Sequence, residues 1–271
     1  MPAEVISVIT YPDILRYWQL KRINSSAELE TALNDKIISL SYHSGKIEND
    51  AVTYADTREI FEHDRVIRYT GDLRTLFEIR NSKDAFRYLL DCFARRLPLT
   101  AALILSFHEQ LTKNTYDQAR WDVGERPGTF KLHDYVVGRD EVGALPEDVS
   151  IELDELLAEL IDVSDEHILI SSAYFHCKFE NIHPFADGNG RVGRLALNYF
   201  LLIHNHPPVI IHEEDRLEYF AALEAWDRFQ RLEPMTDYLR SQTVKTWSRS
   251  LRQPCTFYTA GTPSFHLRNS L

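Results

Sequence analysis

A chain of 271 residues, 44% hydrophobic and 26% charged, has the balance of an ordinary globular protein and can hold one generous core or two small ones. Its net charge of −11 argues against nucleic acid as the main partner, because a phosphate backbone asks for a basic footprint. Cys92, Cys177 and Cys255 are odd in number, widely separated and without zinc-ligand spacing, and no apolar run reaches membrane-spanning length, so a soluble cytoplasmic protein with reduced thiols is expected.

In chain order, residues 1–24 read as a mixed, aromatic N-terminal segment with a turn at Tyr11-Pro12-Asp13 and a short helix over 14–20. Ser25 and Glu28 make a capping box that opens one helix, through Leu29, Leu33, Ile37, Ile38 and Tyr42, as far as Glu48 and Asn49. Thr53 with Asp56 opens the next, around Ile60 and Phe61. Asn81-Ser82 opens another, with Phe86, Leu89, Leu90 and Phe93 inward and Pro98 beyond its end. Thr100 starts a helix over 101–111, on which His108 reads as a buried, satisfied histidine. Glycines and Pro127 then punctuate the chain, and 130–137 reads as strand or hairpin. Pro146 starts a helix through Leu160, and Ser164 or Asp165 caps one over 167–180. Further helices are predicted over 191–204, 215–229 and 234–251, followed by a polar tail, 252–271. The fold class is all-α with one small β-hairpin, and nothing marks a linker between two domains.

The chemistry is concentrated in His183-Pro184-Phe185-Ala186-Asp187-Gly188-Asn189-Gly190-Arg191-Val192-Gly193-Arg194. Gly188 and Gly190 let the backbone turn tightly and point successive N–H groups into one concavity, an anion nest. From Arg191 onward, Val192, Leu195, Ala196, Tyr199 and Ile203 recur at helical spacing. The nest therefore sits at a helix N-terminus, where unpaired N–H groups and the macrodipole favour phosphate. Arg191 and Arg194, three apart, share one face of the first turn. Asp187 offers a hard oxygen ligand for Mg²⁺. His183, with an ordinary pKa of about 6.5, can accept a proton from a hydroxyl near neutral pH. Each residue alone is better read as part of a polar loop between buried helices. A base, a metal ligand, a nest and two cations in so short a stretch are not.

The stretch resembles, position for position, the signature of the Fic family, His-x-Phe-x-(Asp/Glu)-Gly-Asn-Gly-Arg-x-x-Arg. The resemblance implies a helical enzyme that moves a nucleoside monophosphate, usually AMP from ATP, onto a hydroxyl of a target protein. It casts His183 as the base, Phe185 as the apolar anchor of the loop and Asp187 as the ligand of Mg²⁺. Asn189, with the amides of Gly188 and Gly190, holds the α- and β-phosphates, and Arg191 and Arg194 bind the departing pyrophosphate. Transfer of this kind asks for in-line positioning and charge stabilisation at the leaving oxygens, which this set supplies. The hairpin at 130–137 resembles the family's flap, which docks the target as an added strand. Adenine is expected beside the helix that starts at Asp215, stacked on Tyr219 or Phe220. Relatives often carry asparagine near the position of Asp227.

Far upstream, Ser44-Gly45-Lys46-Ile47-Glu48-Asn49 resembles the family's inhibitory pattern, (Ser/Thr)-x-x-x-Glu-(Gly/Asn). The resemblance implies a regulatory set, Ser44, Glu48 and Asn49, in which Glu48 pairs with Arg194. A guanidinium bidentate to a carboxylate cannot also hold a γ-phosphate, so ATP would bind with its α-phosphate turned away from attack. The expected layout is a Fic domain over 25–251, with the inhibitory helix at about 26–49 and the catalytic core at about 82–231. The partner is an unidentified hydroxyl-bearing protein or the chain itself, with neither nucleic acid nor membrane. Whether Glu48 acts within one chain or across a homodimer is left open. Removal of AMP by a water at the same site is the rival enzyme reading, and an idle nucleotide-binding regulator is the rival from another class. Transfer of phosphate or UMP is disfavoured because Gly190 is retained. His204, His206 and His212 lack metal-site spacing and read as solvated or capping residues. His176 reads as a structural residue behind the loop.

Overall fold

The computed structural model describes residues 8–66, 69–135 and 143–252. They form the helices α1 (Tyr11–Gln19), α2 (Ser26–Leu33), α3 (Ile37–Glu48), α4 (Tyr54–His63), α5 (Leu73–Ala94) and α6 (Ala101–Thr112). After these come α7 (Gln118–Asp122), α8 (Val149–Ala158), α9 (Ile168–Ile182), α10 (Asn189–Ile203), α11 (Arg216–Phe229) and α12 (Glu233–Arg252). Short 3-10 turns at Asp165–His167 and Glu213–Asp215 lead into α9 and α11. No strand occurs among the described residues, in keeping with the all-α reading. Phe130 to Tyr135, the described part of the expected hairpin, is irregular, while Val136, Val137 and the tail from 253 onward lie outside the described residues.

Helix α10 is the axis of the molecule. Val192, Ala196, Leu197 and Tyr199 are fully buried and Leu195, Phe200, Leu201 and Leu202 nearly so, an apolar surface on all sides that only a central helix can satisfy. It packs against α9, α6, α3 and α5. The helix starts follow from local chemistry. Ser25, Thr53, Asp72, Thr100 and Asp117 each accept the third-turn-residue amide of the helix they open. At the other end of the chain, α1 packs on α12, with Trp18 edge-on to Trp247 at 5.1 Å and the Trp247 Nε1–H donating to the Pro208 carbonyl.

Two predicted helices differ in extent. The single helix expected from Ser25 to Glu48 is broken at Asn34-Asp35-Lys36, where the poor helix formers Asn34 and Asp35 let the chain change direction. Helix α2 thereby packs on α5, while α3 packs on α4, α5 and α10. Helix α5 begins at Leu73, well before the Asn81-Ser82 start expected from sequence. Those two polar residues lie buried in mid-helix. Asn81 Nδ2 donates to the carbonyls of Leu111 and Lys113, and Ser82 Oγ donates one turn back to the Glu78 carbonyl.

The histidines of 204–212 do not converge. His204 Nδ1 meets the Phe200 carbonyl, His212 Nδ1 meets Gln242, and His206 is buried against the Tyr11 hydroxyl at 2.8 Å rather than solvated. Among the described residues no group of three metal-ligating side chains exists, and no helix is long and apolar enough to cross a membrane. Cys92 and Cys177 carry buried free thiols.

Burial holds several histidines neutral. It pushes the pKa values of His43, His183 and His206 down to about 4, and those of His108 and His176 down to about 3. The unfolded chain protonates these groups near their ordinary value and so binds more protons than the folded one. Their contribution is therefore complete above pH 6.5 and is lost as pH falls toward 4. Glu180 opposes them between its ordinary value and about 8, the value to which burial raises its carboxyl, but with one proton against five. Urea midpoints are expected to fall steadily from pH 7 to pH 5, with net proton uptake on unfolding. A flat midpoint over that range would contradict this account.

Candidate active site

Helix α9 ends at Ile182, and His183 takes the left-handed C-cap conformation, φ 51° and ψ 62°, that turns the chain out of the helix. Two residues on, Phe185 is fully buried and stacks on the imidazole of His108, with centroids 3.8 Å apart and 5° between planes. Asn189 closes the loop: its Oδ1 accepts the Phe185 N–H at 2.9 Å and its Nδ2 donates to the Phe185 carbonyl at 2.8 Å. The Asn189 side chain, expected on phosphate, therefore braces the backbone that would surround the phosphate. Asn189→Ala would strand two buried backbone groups, at about 1–3 kcal/mol each, and a melting temperature lowered by several degrees is expected from thermal unfolding.

The two glycines have different reasons. Gly188 is the N-cap of α10 with φ 85°, and a β-carbon there would lie 2.8 Å from Thr112 Cγ2. Gly190 lies within the first turn of α10, where a β-carbon would stand 2.2 Å from Glu48 Oε1 and 2.9 Å from Arg194 Nη1. Only Gly188 makes the turn; Gly190 makes room for the Glu48–Arg194 pair.

His108 is satisfied, as expected, but its partners belong to the site. Its Nδ1 accepts the Gly128 N–H at 2.9 Å, which leaves the proton on Nε2 to be donated to the Asp187 carbonyl at 3.1 Å. His183 is largely buried. Burial first, then the charge of Lys131, brings its pKa down to about 4, so the imidazole is a free base at neutral pH. Its Nδ1 has no hydrogen-bond partner among the described residues. The chain at 130–135 runs beside this loop, with the Lys131 N–H donating to the Pro184 carbonyl at 2.9 Å. Buried Glu125 shapes that segment by accepting from the Leu132 N–H and the Tyr135 hydroxyl, both at 2.9 Å.

At the other end of the signature, Arg194 is 3% exposed and already engaged. Its Nη2 donates to Glu48 Oε1 at 2.8 Å and to the Ser44 carbonyl at 2.9 Å, and its Nε donates to Ser44 Oγ at 3.1 Å. Burial pulls the Arg194 pKa down, and Glu48 first, with Tyr219 and Glu180, together more than offset it, with a net rise. Tyr219 does not present a face for a base to stack on. It is buried, with its ring 6.0 Å from Arg194 Cζ and its hydroxyl 2.8 Å from His176 Nε2, and it supports the arginine from behind. The exposed aromatics of α11 are Phe220 and, at its last residue, Phe229.

Asn49 caps α3 and donates through Nδ2 to Glu78 Oε2 at 2.8 Å. Arg191, 5% exposed, lies between Asp187, 3.4 Å from Nη2, and Glu78, 3.5 Å from Nη1. A cavity of about 360 Å³ opens here, lined by the carboxylates of Glu48, Asp72, Glu78 and Asp187, the guanidiniums of Arg74 and Arg191, and Gly188. Four acids face two bases, so a polyanion enters favourably only with a cation or after a carboxylate withdraws. Asp187 fits a divalent ion in that role: one hard oxygen donor, with phosphate oxygens and water left to complete the shell, is the usual manner of binding Mg²⁺.

The structure thus brings Glu48, Asn49, Asp187, Gly188 and Arg191 around one cavity, with Arg194 and Ser44 joined to it through Glu48. His183, at the start of the loop, is not among the residues lining that cavity. Sequence reasoning missed Asp72, Arg74 and Glu78 because it began their helix at Asn81. Asp72 with Thr75, an N-cap pair, is the local signal that would have exposed them.

Residues 98–201 match the model of the Fic/DOC family. Over 227 residues the chain is 30% identical to the protein adenylyltransferase Fic of Drosophila persimilis, a match covering 82% of this chain and 42% of that protein. The protein of the same description from Drosophila willistoni is 29% identical over 229 residues, with 82% and 43% covered. The chain therefore spans less than half the length of these curated relatives. Among solved structures, Fic-1 (aa134 - 508) from C. elegans superposes with a TM-score of 0.69 at 26% identity, over 88% of this chain and 71% of that one. A Fic domain containing signaling protein from Bacteroides thetaiotaomicron shares the fold, with a TM-score of 0.74 at 19% identity over 89% and 95% of the two chains.

Proposed function

The chain carries a Fic domain, and from that premise we propose that it transfers AMP from ATP to a hydroxyl side chain of a target protein, under restraint by Glu48. The target's oxygen attacks the α-phosphorus of ATP, the new P–O bond forms as the bond to the β-phosphate bridge breaks, and pyrophosphate leaves. The hydroxyl proton passes to the imidazole of His183, whose low pKa supports this role because the base is unprotonated at neutral pH. The N-terminus of α10 and the guanidiniums of Arg191 and Arg194 receive the charge that develops on the pyrophosphate. Mg²⁺, when bound, neutralises phosphate charge, and Asp187 would hold it. The segment at 130–137, of which Lys131 lies beside Pro184, is where an extended stretch of the target docks.

The observation that carries this reading is the state of Arg194. A buried guanidinium at the N-terminus of α10 is paired with a carboxylate from a distant helix, and Gly190 is small where that carboxylate passes. Such an arrangement is what a phosphate site held closed requires. The test is intact mass after incubation with Mg²⁺ and ATP. A gain of one AMP unit is expected for Glu48→Gly, and no gain on that protein or on any added protein would overturn the reading.

A further inference from the structure

Arg74 lies outside residues 98–201 and is not part of the signature, yet it makes the shortest contact to the Asp187 carboxylate that lines the cavity. It stands second in α5, just after the Asp72 cap. Its Nη2 donates to Asp187 Oδ2 at 2.6 Å, and its Nε donates to Glu78 Oε1 at 3.0 Å. Glu78 is held in turn by Asn49, the cap of the helix that carries Glu48. Asp187 is thus paired on both sides, by Arg74 at one oxygen and by Arg191 3.4 Å from the other.

We propose that Arg74 is a positioning residue for the transfer reaction: it is the resident counter-cation of Asp187, and it sets the concentration at which a divalent cation loads the site. The proposal rests on the assignment of Asp187 as the metal ligand. A carboxylate only 18% exposed cannot stay bare without a large desolvation cost, so an empty site needs a substitute cation. A guanidinium serves well. Its stem is flexible, its side chain is 43% exposed, and its second arm stays tied to Glu78 when the first lets go. A divalent ion and the Arg74 guanidinium compete for the charge and oxygens of the one Asp187 carboxylate, so binding of one weakens the hold of the other. The site is therefore held at both ends, by Glu48 at Arg194 and by Arg74 at Asp187, and the two holds are independently removable.

Mn²⁺ alone is the probe, with bound and free ion read by electron paramagnetic resonance on the full chain. Arg74→Gln is expected to bind Mn²⁺ about fivefold more tightly than wild type, the scale of one partly exposed ion pair, and Asp187→Asn to bind it far more weakly. A damaged fold loses affinity, so a gain cannot come from mere structural disturbance. Equal or weaker binding by Arg74→Gln, with Asp187→Asn still impaired, overturns the role of Arg74 and leaves Asp187 as the ligand. Binding that Asp187→Asn does not change removes both assignments. Absence of binding by wild type and Arg74→Gln alike at millimolar Mn²⁺ also overturns the role given to Arg74.

Discussion

Glu48→Gly is expected to raise AMP transfer from ATP on the order of 10²- to 10³-fold, the value typical of one well-placed donor to developing transition-state charge. The substitution returns that donor. With Glu48 gone, Arg194 stays oriented by the bonds of its Nε and Nη2 to Ser44, and the Nη2 hydrogen that Glu48 had held is left to donate to the leaving pyrophosphate. Glycine at the last residue of α3 costs up to about 1 kcal/mol of helix stability, too little to unfold the chain. Glu48→Gln, which keeps the bulk beside Gly190 without the charge, should fall between wild type and glycine. Initial rates of labelling from [α-³²P]ATP decide the matter: equal rates for wild type and Glu48→Gly would remove the inhibitory role.

His183→Ala should have the opposite consequence, a loss of about 10²- to 10⁴-fold in transfer, best measured in the Glu48→Gly background. ATP affinity is expected to change little, since His183 is not among the residues lining the cavity that Arg191 and Asp187 share. Equilibrium binding separates the two effects. The pH profile adds a second check. A base works when unprotonated, and burial brings the His183 pKa down to about 4, so transfer should rise through pH 4 and be level near 6.5. An ascending limb centred on 6.5 would show that the imidazole is more open to water than its surroundings imply.

Much of the site was legible because its chemistry is contiguous. The loop, its glycines and two arginines fall within one short stretch, and the helix that follows announces itself by its apolar spacing. Caps such as Thr53 and Thr100 are local as well, and the structure has them where the sequence placed them. What escaped notice depends on partners distant in the chain. Asn81 and Ser82 look like a helix start because short polar side chains favour caps, and only the carbonyls of Leu111 and Lys113 reveal that Asn81 is a buried mid-helix residue. Misplacing that start hid Arg74 and Glu78. The family signature implies a phosphate role for the side-chain amide of Asn189. The same amide suits a peptide group better when Phe185 offers both its N–H and its carbonyl. Tyr219 was read as a stacking face by its type, whereas burial against His176 and Arg194 makes it a support.

Glu48 is the final residue of α3, and its side chain is 40% exposed, whereas Ile37, Leu40 and Ile47 of the same helix are buried. Helix ends open locally at small free-energy cost, while lifting α3 as a whole would uncover its apolar face. On the proposed restraint by Glu48, turnover in the resting protein is expected to be leaky and not strictly silent, with a background set by the fraction of time one carboxylate spends swung into solvent. On the same proposal a regulator would have only to catch that excursion: a ligand that captured the swung-out glutamate would release Arg194 with the helical scaffold undisturbed.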